Sequence, residues 1–190
     1  MSSDSLKNHL TENTVAFISI LCAAYLMTLF GKFDIEVGSY MYLPLGAKIL
    51  MYLLFGFTVL PGIIFACFIS GVILFNSWND HLFIGTLAAC AGAVAPIIVM
   101  LAMRAMRTCN FSNLKVIDFK NILALIIASS VVSAMLKFFI YMQSITLNID
   151  ALDFITHYIV GDVIGSLIVI YLTLKIIVPL LAFSFHSVRS

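Results

Sequence analysis

The chain has 190 residues, of which 63% are hydrophobic and 10% are charged, and its net charge is +1. Soluble domains are already about half apolar, so this composition indicates an integral membrane protein, and the near-neutral charge argues against a nucleic-acid partner. The polar segments are too short to hold a nucleotide-binding or catalytic domain. We therefore expect one transmembrane domain over residues 1–190, in contact with the lipid bilayer.

Six apolar stretches follow one another along the chain, and a spanning helix needs about 20 such residues, within a range of about 17–25. The polar start of the chain lacks the basic region and the cleavage site of a signal peptide, so the first stretch is predicted to be a retained helix. The predicted helices cover residues 14–30, 45–60, 62–78, 82–103, 121–142 and 157–181. The predicted fold class is an all-α, compact bundle of six transmembrane helices.

The second and third predicted helices are short, and Leu60, Pro61 and Gly62 join them. Pro61 disfavours helix at the residue before it, and Gly62 permits a turn. The alternative is one kinked helix, but about 34 residues is too long for one crossing. The sequence therefore predicts a tight hairpin at Leu60-Pro61-Gly62 and six crossings in all.

The orientation follows from the basic residues in the short loops, which accumulate on the cytoplasmic side of a membrane. The segment after the fourth predicted helix carries four of them, Arg104, Arg107, Lys115 and Lys120. The loops on the opposite side carry Lys32 alone, among several acidic residues. Six crossings then place both termini with the basic loop, which predicts an N-in and C-in topology.

Three ionisable residues, Lys48, Lys137 and Asp162, lie inside the apolar stretches. Each such charge costs at least about 2.5–3.5 kcal/mol in hydrocarbon. With the predicted topology, all three lie in the outer half of the bilayer. Lys137 and Asp162 each lie about five residues, or roughly 7–8 Å, inside the outer end of a helix.

These charges have two interpretations. Lysines can extend their stems outward to the interface, which suffices to explain Lys48. Asp162 is too short for this and must be neutral or paired, so a structural Lys137–Asp162 pair is one possibility. The other is a polar cluster lining an outward-facing cavity that binds a small polar ligand. His157 lies near this cluster, but a haem or metal role would need a second histidine at its depth, and His81 is the one candidate.

Small residues recur at four-residue spacing, which lets helix backbones approach closely. They occur in four rows: Gly161 and Gly165; Gly62, Ala66 and Ser70; Ala88, Gly92 and Pro96; and Ser129 and Ser133. Such rows mark packing within a bundle more often than dimerisation. The sequence offers no nucleophile–base pair, metal-ligand spacing or phosphate loop, so we expect no enzymatic activity, no metal and no cofactor.

Three stretches, YLPLG at 42–46, LLFGFTVLPGIIFACFISG at 53–71 and GDVIG at 161–165, resemble the membrane-associated sensor (MASE) domains of the first type. In that family an aromatic-Pro-x-Gly element opens one helix and Gly-Asp-x-x-Gly begins a later one. The resemblance implies a sensory or docking module of the bacterial inner membrane. Because no output domain follows, it also implies that the signal passes to a separate partner protein, or that the chain is an accessory subunit of a membrane complex.

A second resemblance is to the substrate-binding component of energy-coupling-factor vitamin transporters, which are six-helix proteins of similar length. The resemblance implies a small molecule bound on the outer side and an alanine-rich face that docks the coupling subunit. The fourth predicted helix carries five alanines, Ala88, Ala89, Ala91, Ala93 and Ala95. A structural subunit of an energy-transducing complex is the third hypothesis.

Overall fold

The computed structural model describes residues 3–30, 41–74, 82–108, 118–143, 150–173 and 175, and all regular elements among them are helical. The α-helices are α1 (Ser3–Phe30), α2 (Leu43–Phe55), α3 (Leu60–Ile69), α4 (Leu82–Ala105), α5 (Phe119–Met142) and α6 (Ala151–Leu172). A 3₁₀ turn, Gly56–Val59, joins α2 to α3, and a π-helical turn, Ser70–Leu74, extends α3. In this part of the chain, five continuous helical segments are long and apolar enough to span a membrane, with Leu43–Val72 counted as one.

Two helices begin more than one turn earlier than predicted. Helix α1 begins at Ser3 rather than at residue 14, and α6 begins at Ala151 rather than at residue 157. The polar residues there mark the edge of the apolar stretch and not the end of the helix, because a helix can continue into water. Asp153 in the first turn of α6 even favours helix, since a negative charge stabilises a helix N-terminus. The predicted ends at residues 78 and 181 lie outside the described residues.

The chain reverses direction between α2 and α3. Lys48 of α2 and Cys67 of α3 line the same cavity, whereas a straight helix would separate them by roughly 28 Å. The reversal occurs at Gly56, whose φ of 74° is readily adopted by glycine. The turn predicted at Leu60-Pro61-Gly62 is therefore wrong in position. Pro61 lies in the first turn of α3, where its missing N–H is not needed.

Helix α2 lies at the centre of the bundle. It packs against α1, α4 and α6, and ten of its 13 residues are buried. The helices around it expose large apolar side chains on their outer faces, among them Leu26, Phe65, Leu101 and Phe139. Apolar residues both inside and outside a helical bundle are the pattern of a membrane protein, because lipid and not water covers the outside.

Glycines bring α2 and α6 into backbone contact. A Cβ atom on Gly165 would overlap the carbonyl group of Tyr42, and one on Gly46 would lie 2.6 Å from the Cα atom of Ser166. The Tyr42 N–H donates a hydrogen bond of 3.0 Å to the Gly161 carbonyl. These contacts hold the start of α2 against α6, which fixes the position of the Tyr42 side chain.

Candidate functional site

A cavity of about 40 Å³ lies among α2, α3, α4, α5 and α6, near the start of α2. Its polar lining consists of Tyr42, Lys48, Cys67, Ser70, Lys137, Tyr141 and Tyr158. We call this cavity the lysine pocket. A water molecule needs about 10–15 Å³ of such space, so the lysine pocket holds a few water molecules or one small ligand.

Both lysines of the pocket are buried. Lys48 is 1% exposed and Lys137 is 7% exposed, so the interpretation that Lys48 extends its stem to the interface is wrong. The reason is that α2 lies at the centre of the bundle, where its side chains meet other helices and not lipid. A Cβ atom on Gly92 would lie 3.5 Å from Lys48 Nζ and 3.4 Å from Lys137 Cε. The ends of the two lysine side chains therefore converge on one point of α4.

Aromatic rings contribute to the stabilisation of these ammonium groups. Lys48 Nζ lies 5.7 Å and Lys137 Nζ 4.8 Å from the centroid of the Tyr42 ring, and Lys137 Nζ also lies 4.9 Å from that of Tyr158. A desolvated cation over an aromatic face gains about 2 kcal/mol or more. Burial raises the pKa of the Tyr42 phenol to about 12, although the nearby Lys48 charge opposes the shift. The phenol therefore stays protonated at neutral pH.

Cys67 of α3 is the thiol of the pocket, and its side chain lies near that of Lys48 in the pocket lining. Ser70, one turn further along the chain, donates a hydrogen bond of 3.0 Å to the Cys67 carbonyl. Because the chain reverses at Gly56, α3 supplies a pocket wall that faces the Lys48 side chain across the cavity. Sequence reasoning missed Cys67, since only the position of the reversal shows that it faces Lys48.

Asp162 is wholly buried, and neither carboxylate oxygen has a hydrogen-bond partner among the described residues. In the same part of the chain it makes no ion pair with Lys48 or Lys137. The side chains across the α5–α6 contact explain why: Lys137 faces Tyr158, so Asp162 lies one helical turn further along α6. The Lys137–Asp162 ion pair, one of the two interpretations of the sequence, is therefore not formed directly, because Lys137 lies level with Tyr158 and not with Asp162.

Polar residues repeat every four positions on both helices of this contact. They are Ser129, Ser133, Lys137 and Tyr141 on α5, and Tyr158, Asp162 and Ser166 on α6, all of them buried. The Ser129, Ser133 and Ser166 hydroxyls lack hydrogen-bond partners in the described part of the chain. Unpartnered buried polar atoms are uncommon in proteins and indicate bound water or a ligand. This spacing could have identified Tyr141 and Tyr158 from the sequence.

The other predicted site residues lie around the pocket or apart from it. Gly92 and Ser70 line it, and Ala66 is buried on α3 without lining it. The Gly62 N–H donates a hydrogen bond of 2.8 Å to Asn13 Oδ1 of α1. His157 does not line the pocket, and its Nδ1 atom lies 2.7 Å from the Asp153 carbonyl oxygen. His81 lies outside the described residues.

The pocket suits a small ligand that accepts hydrogen bonds. Its ammonium groups and hydroxyls are donors, and the described residues include no cluster of His, Cys, Asp and Glu that could hold a metal ion. Comparison with known proteins finds no matching family model, no similar curated protein and no similar solved structure. The geometry of the lysine pocket is therefore the main indication of what this protein does.

Proposed function

We propose that this protein is a sensory module of the bacterial inner membrane that holds a small polar ligand in the lysine pocket. Whether the pocket is occupied or empty is communicated to a partner protein. That partner is either a separate protein or the membrane complex of which this chain is an accessory subunit. The observation that carries the proposal is the convergence of two buried lysines on a cavity. Buried ionisable residues in a membrane-spanning bundle are costly, and such residues mark functional sites by default.

The proposed topology has six crossings with both termini inside, so that α2 and α3 each cross. Polar groups of α1 surround the turn between them and support this topology. Asn13 Nδ2 donates a hydrogen bond of 3.0 Å to the Thr58 carbonyl, and the Thr58 hydroxyl lies 3.4 Å from a Glu12 carboxylate oxygen. A turn next to a carboxylate fits the aqueous boundary. The lysine pocket then lies in the outer half of the bilayer.

A single cysteine at Thr58, which is exposed, tests this topology. In a chain whose native cysteines are replaced by serine, Thr58→Cys is expected to react with a membrane-impermeant maleimide in inverted vesicles and not in intact spheroplasts. The control is Leu54→Cys, on an exposed α2 position predicted to face lipid and to react in neither. Labelling of Thr58→Cys from the outside alone would refute the topology.

The small-residue rows contribute little to partner docking, because Gly62, Gly92 and Gly165 already face other helices of the same chain. The partner must therefore bind the apolar outer surface within the membrane or the segments outside the helices. Within the membrane, a partner helix would therefore have to displace lipid from the outer face of the bundle.

A vitamin-transporting role fits the pocket less well. Ligand pockets for drug-sized molecules measure about 300–1,000 Å³, whereas the lysine pocket measures about 40 Å³. Larger grooves of about 490 and 380 Å³ have almost entirely apolar linings, as expected of surfaces that face lipid tails. A sensor of a small ligand is therefore favoured over a vitamin carrier.

The test is purification of the tagged full-length chain from native membranes in mild detergent, followed by quantitative mass spectrometry. A partner is expected at a fixed ratio to the chain, and its amount is expected to change in Lys137→Met, which alters the pocket. The matched control is Lys175→Met, because Lys175 is exposed and its hydrogen bond among the described residues is local, to the Tyr171 hydroxyl at 2.6 Å. A chain that always emerges alone would refute the sensory role.

A further inference from the structure

We propose that the ligand of the lysine pocket is a small monovalent anion of the halide class, bound between Lys48 and Lys137. This inference names the ligand of the site and so rests on the proposed function. It needs no chemical step, because the anion binds and leaves unchanged. Three features of the pocket favour a halide: its charge, its hydrogen-bond donors and its size.

The charge of the pocket calls for an anion. Two amine groups converge at Gly92, and the nearest buried carboxylate, that of Asp162, makes no ion pair with either of them among the described residues. Two ammonium groups repel each other strongly where the effective dielectric constant is low. Asp162 also interacts electrostatically with both lysines over a longer distance than an ion pair. With Asp162 ionised, the three groups together carry a net charge of +1, which one monovalent anion neutralises.

The donors for an anion already point to one place. Besides Lys48 Nζ and Lys137 Cε, the Ser133 hydroxyl lies 3.7 Å from the position that a Cβ atom on Gly92 would take. This hydroxyl is wholly buried and has no partner in the described part of the chain. Each ammonium carries three N–H donors. An anion beside Gly92 would supply the Ser133 hydroxyl with an acceptor and would bridge both lysines.

The size of the pocket restricts the anion. A cavity of about 40 Å³ accommodates roughly three water-sized spheres, which is enough for one small anion and too little for a large organic one. Among small anions, the net charge of the pocket favours a monovalent halide over a divalent sulfate or phosphate. Glycine at position 92 also leaves the space beside the lysine ends unoccupied by a side chain. We therefore expect chloride and bromide to bind, and sulfate and phosphate to bind much more weakly.

The direct test measures thermal unfolding of the purified full-length chain in detergent with gluconate as the background anion. Adding chloride or bromide is expected to raise the Tm in a saturable manner, because a ligand that binds the folded state alone stabilises it. Lys48→Met and Lys137→Met are expected to weaken this response at least tenfold, and Lys175→Met to leave it unchanged. A wild-type protein that does not respond to halide, or that responds equally to sulfate, would overturn the proposal.

A second variant keeps the test decisive if the lysine variants do not fold. Gly92→Ala retains both charges but adds a methyl group next to them, at ordinary contact distances of 3.4–3.7 Å. It is expected to weaken iodide and bromide binding more than chloride binding. Anomalous scattering from bromide would place the ion beside Gly92. Unchanged halide selectivity, or bromide bound only at the surface, would overturn the proposal.

These outcomes are separable from those of the partner test. If halide binds but no partner co-purifies, the anion site stands and the sensory role fails. If a partner co-purifies and the wild-type chain is insensitive to halide, the sensory role stands and the anion inference fails. The two experiments use different preparations, so neither result determines the other.

Discussion

The α2–α6 contact and the lysine pocket both depend on glycine, but in opposite ways. At Gly165 and Gly46 the space of the missing side chain is filled by the backbone of the facing helix. At Gly92 that space is bordered by the flexible ends of two lysines and by a cavity. Glycine therefore produces a rigid contact in one region, the α2–α6 joint formed at Gly46 and Gly165, and an adaptable site in the other. Substituting alanine should lower the free energy of unfolding more at the joint than at Gly92.

The largest effect is expected for Gly165→Ala. The added Cβ atom would overlap the Tyr42 carbonyl, and backbone cannot move aside as a side-chain end can. Overpacking of this kind costs about 1–3 kcal/mol and occasionally more, and we expect the upper end of that range. The measurement is the free energy of unfolding in mixed micelles titrated with a denaturing detergent. A cost below about 0.5 kcal/mol would show that the α2–α6 joint is not rigid.

Gly46→Ala is the second probe of the same joint. A Cβ atom there would lie 2.6 Å from Ser166 Cα and 3.0 Å from Val169 Cβ, so α2 must shift away from α6. We expect a loss of about 1–2 kcal/mol, at the lower part of the overpacking range, because the closest approach at Gly46 is longer than that at Gly165. The measurement is the same unfolding titration. A double variant with Gly165→Ala should cost less than the two together, since both substitutions separate the same pair of helices.

Part of this architecture could be predicted from the sequence. The prediction of helices long and apolar enough to span a membrane is confirmed for the described elements, because composition and stretch length determine it. The position of the turn could not be predicted, since Gly56 and Gly62 are equally permissive and the contact of Gly62 with Asn13 of α1 distinguishes them. Polarity likewise does not locate the first residue of α6, so the level of Asp162 relative to Lys137 on the neighbouring helix could not be predicted.

The candidate site was predictable to a smaller extent. Lys48, Lys137 and Asp162 stand out in the sequence because each is costly in an apolar stretch. Their surroundings depend on the fold. The contact between α2 and α6 places Tyr42 in the site, and the reversal at Gly56 places Cys67 there. Residues that meet only through tertiary contacts leave no local pattern, so the pocket could not be assembled from the sequence alone.

Asp162 lies between the two regions, next to the glycines of the joint and one turn from the level of Lys137. Asp162→Asn removes a negative charge without changing the shape of the side chain. We expect it to tighten halide binding by up to about tenfold, or about 1.4 kcal/mol, because the pocket then carries more positive charge. The measurement is the halide titration of Tm, with Asp153→Asn on the exposed first turn of α6 as control. Weaker halide binding in Asp162→Asn than in the control would contradict the charge argument.

The smallest effect on stability is expected for Gly92→Ala. The new methyl group would meet Lys137 Cε at 3.4 Å, Lys48 Nζ at 3.5 Å and the Ser133 hydroxyl at 3.7 Å, all of them ordinary contacts with side chains. Alanine also favours helix over glycine by up to about 1 kcal/mol, so the free energy of unfolding should change by less than about 0.5 kcal/mol in halide-free buffer. A loss as large as that of Gly165→Ala would mean that the lysine ends are held as rigidly as backbone. The contrast between joint and pocket would then fail, and with it the reason to expect a ligand that enters and leaves.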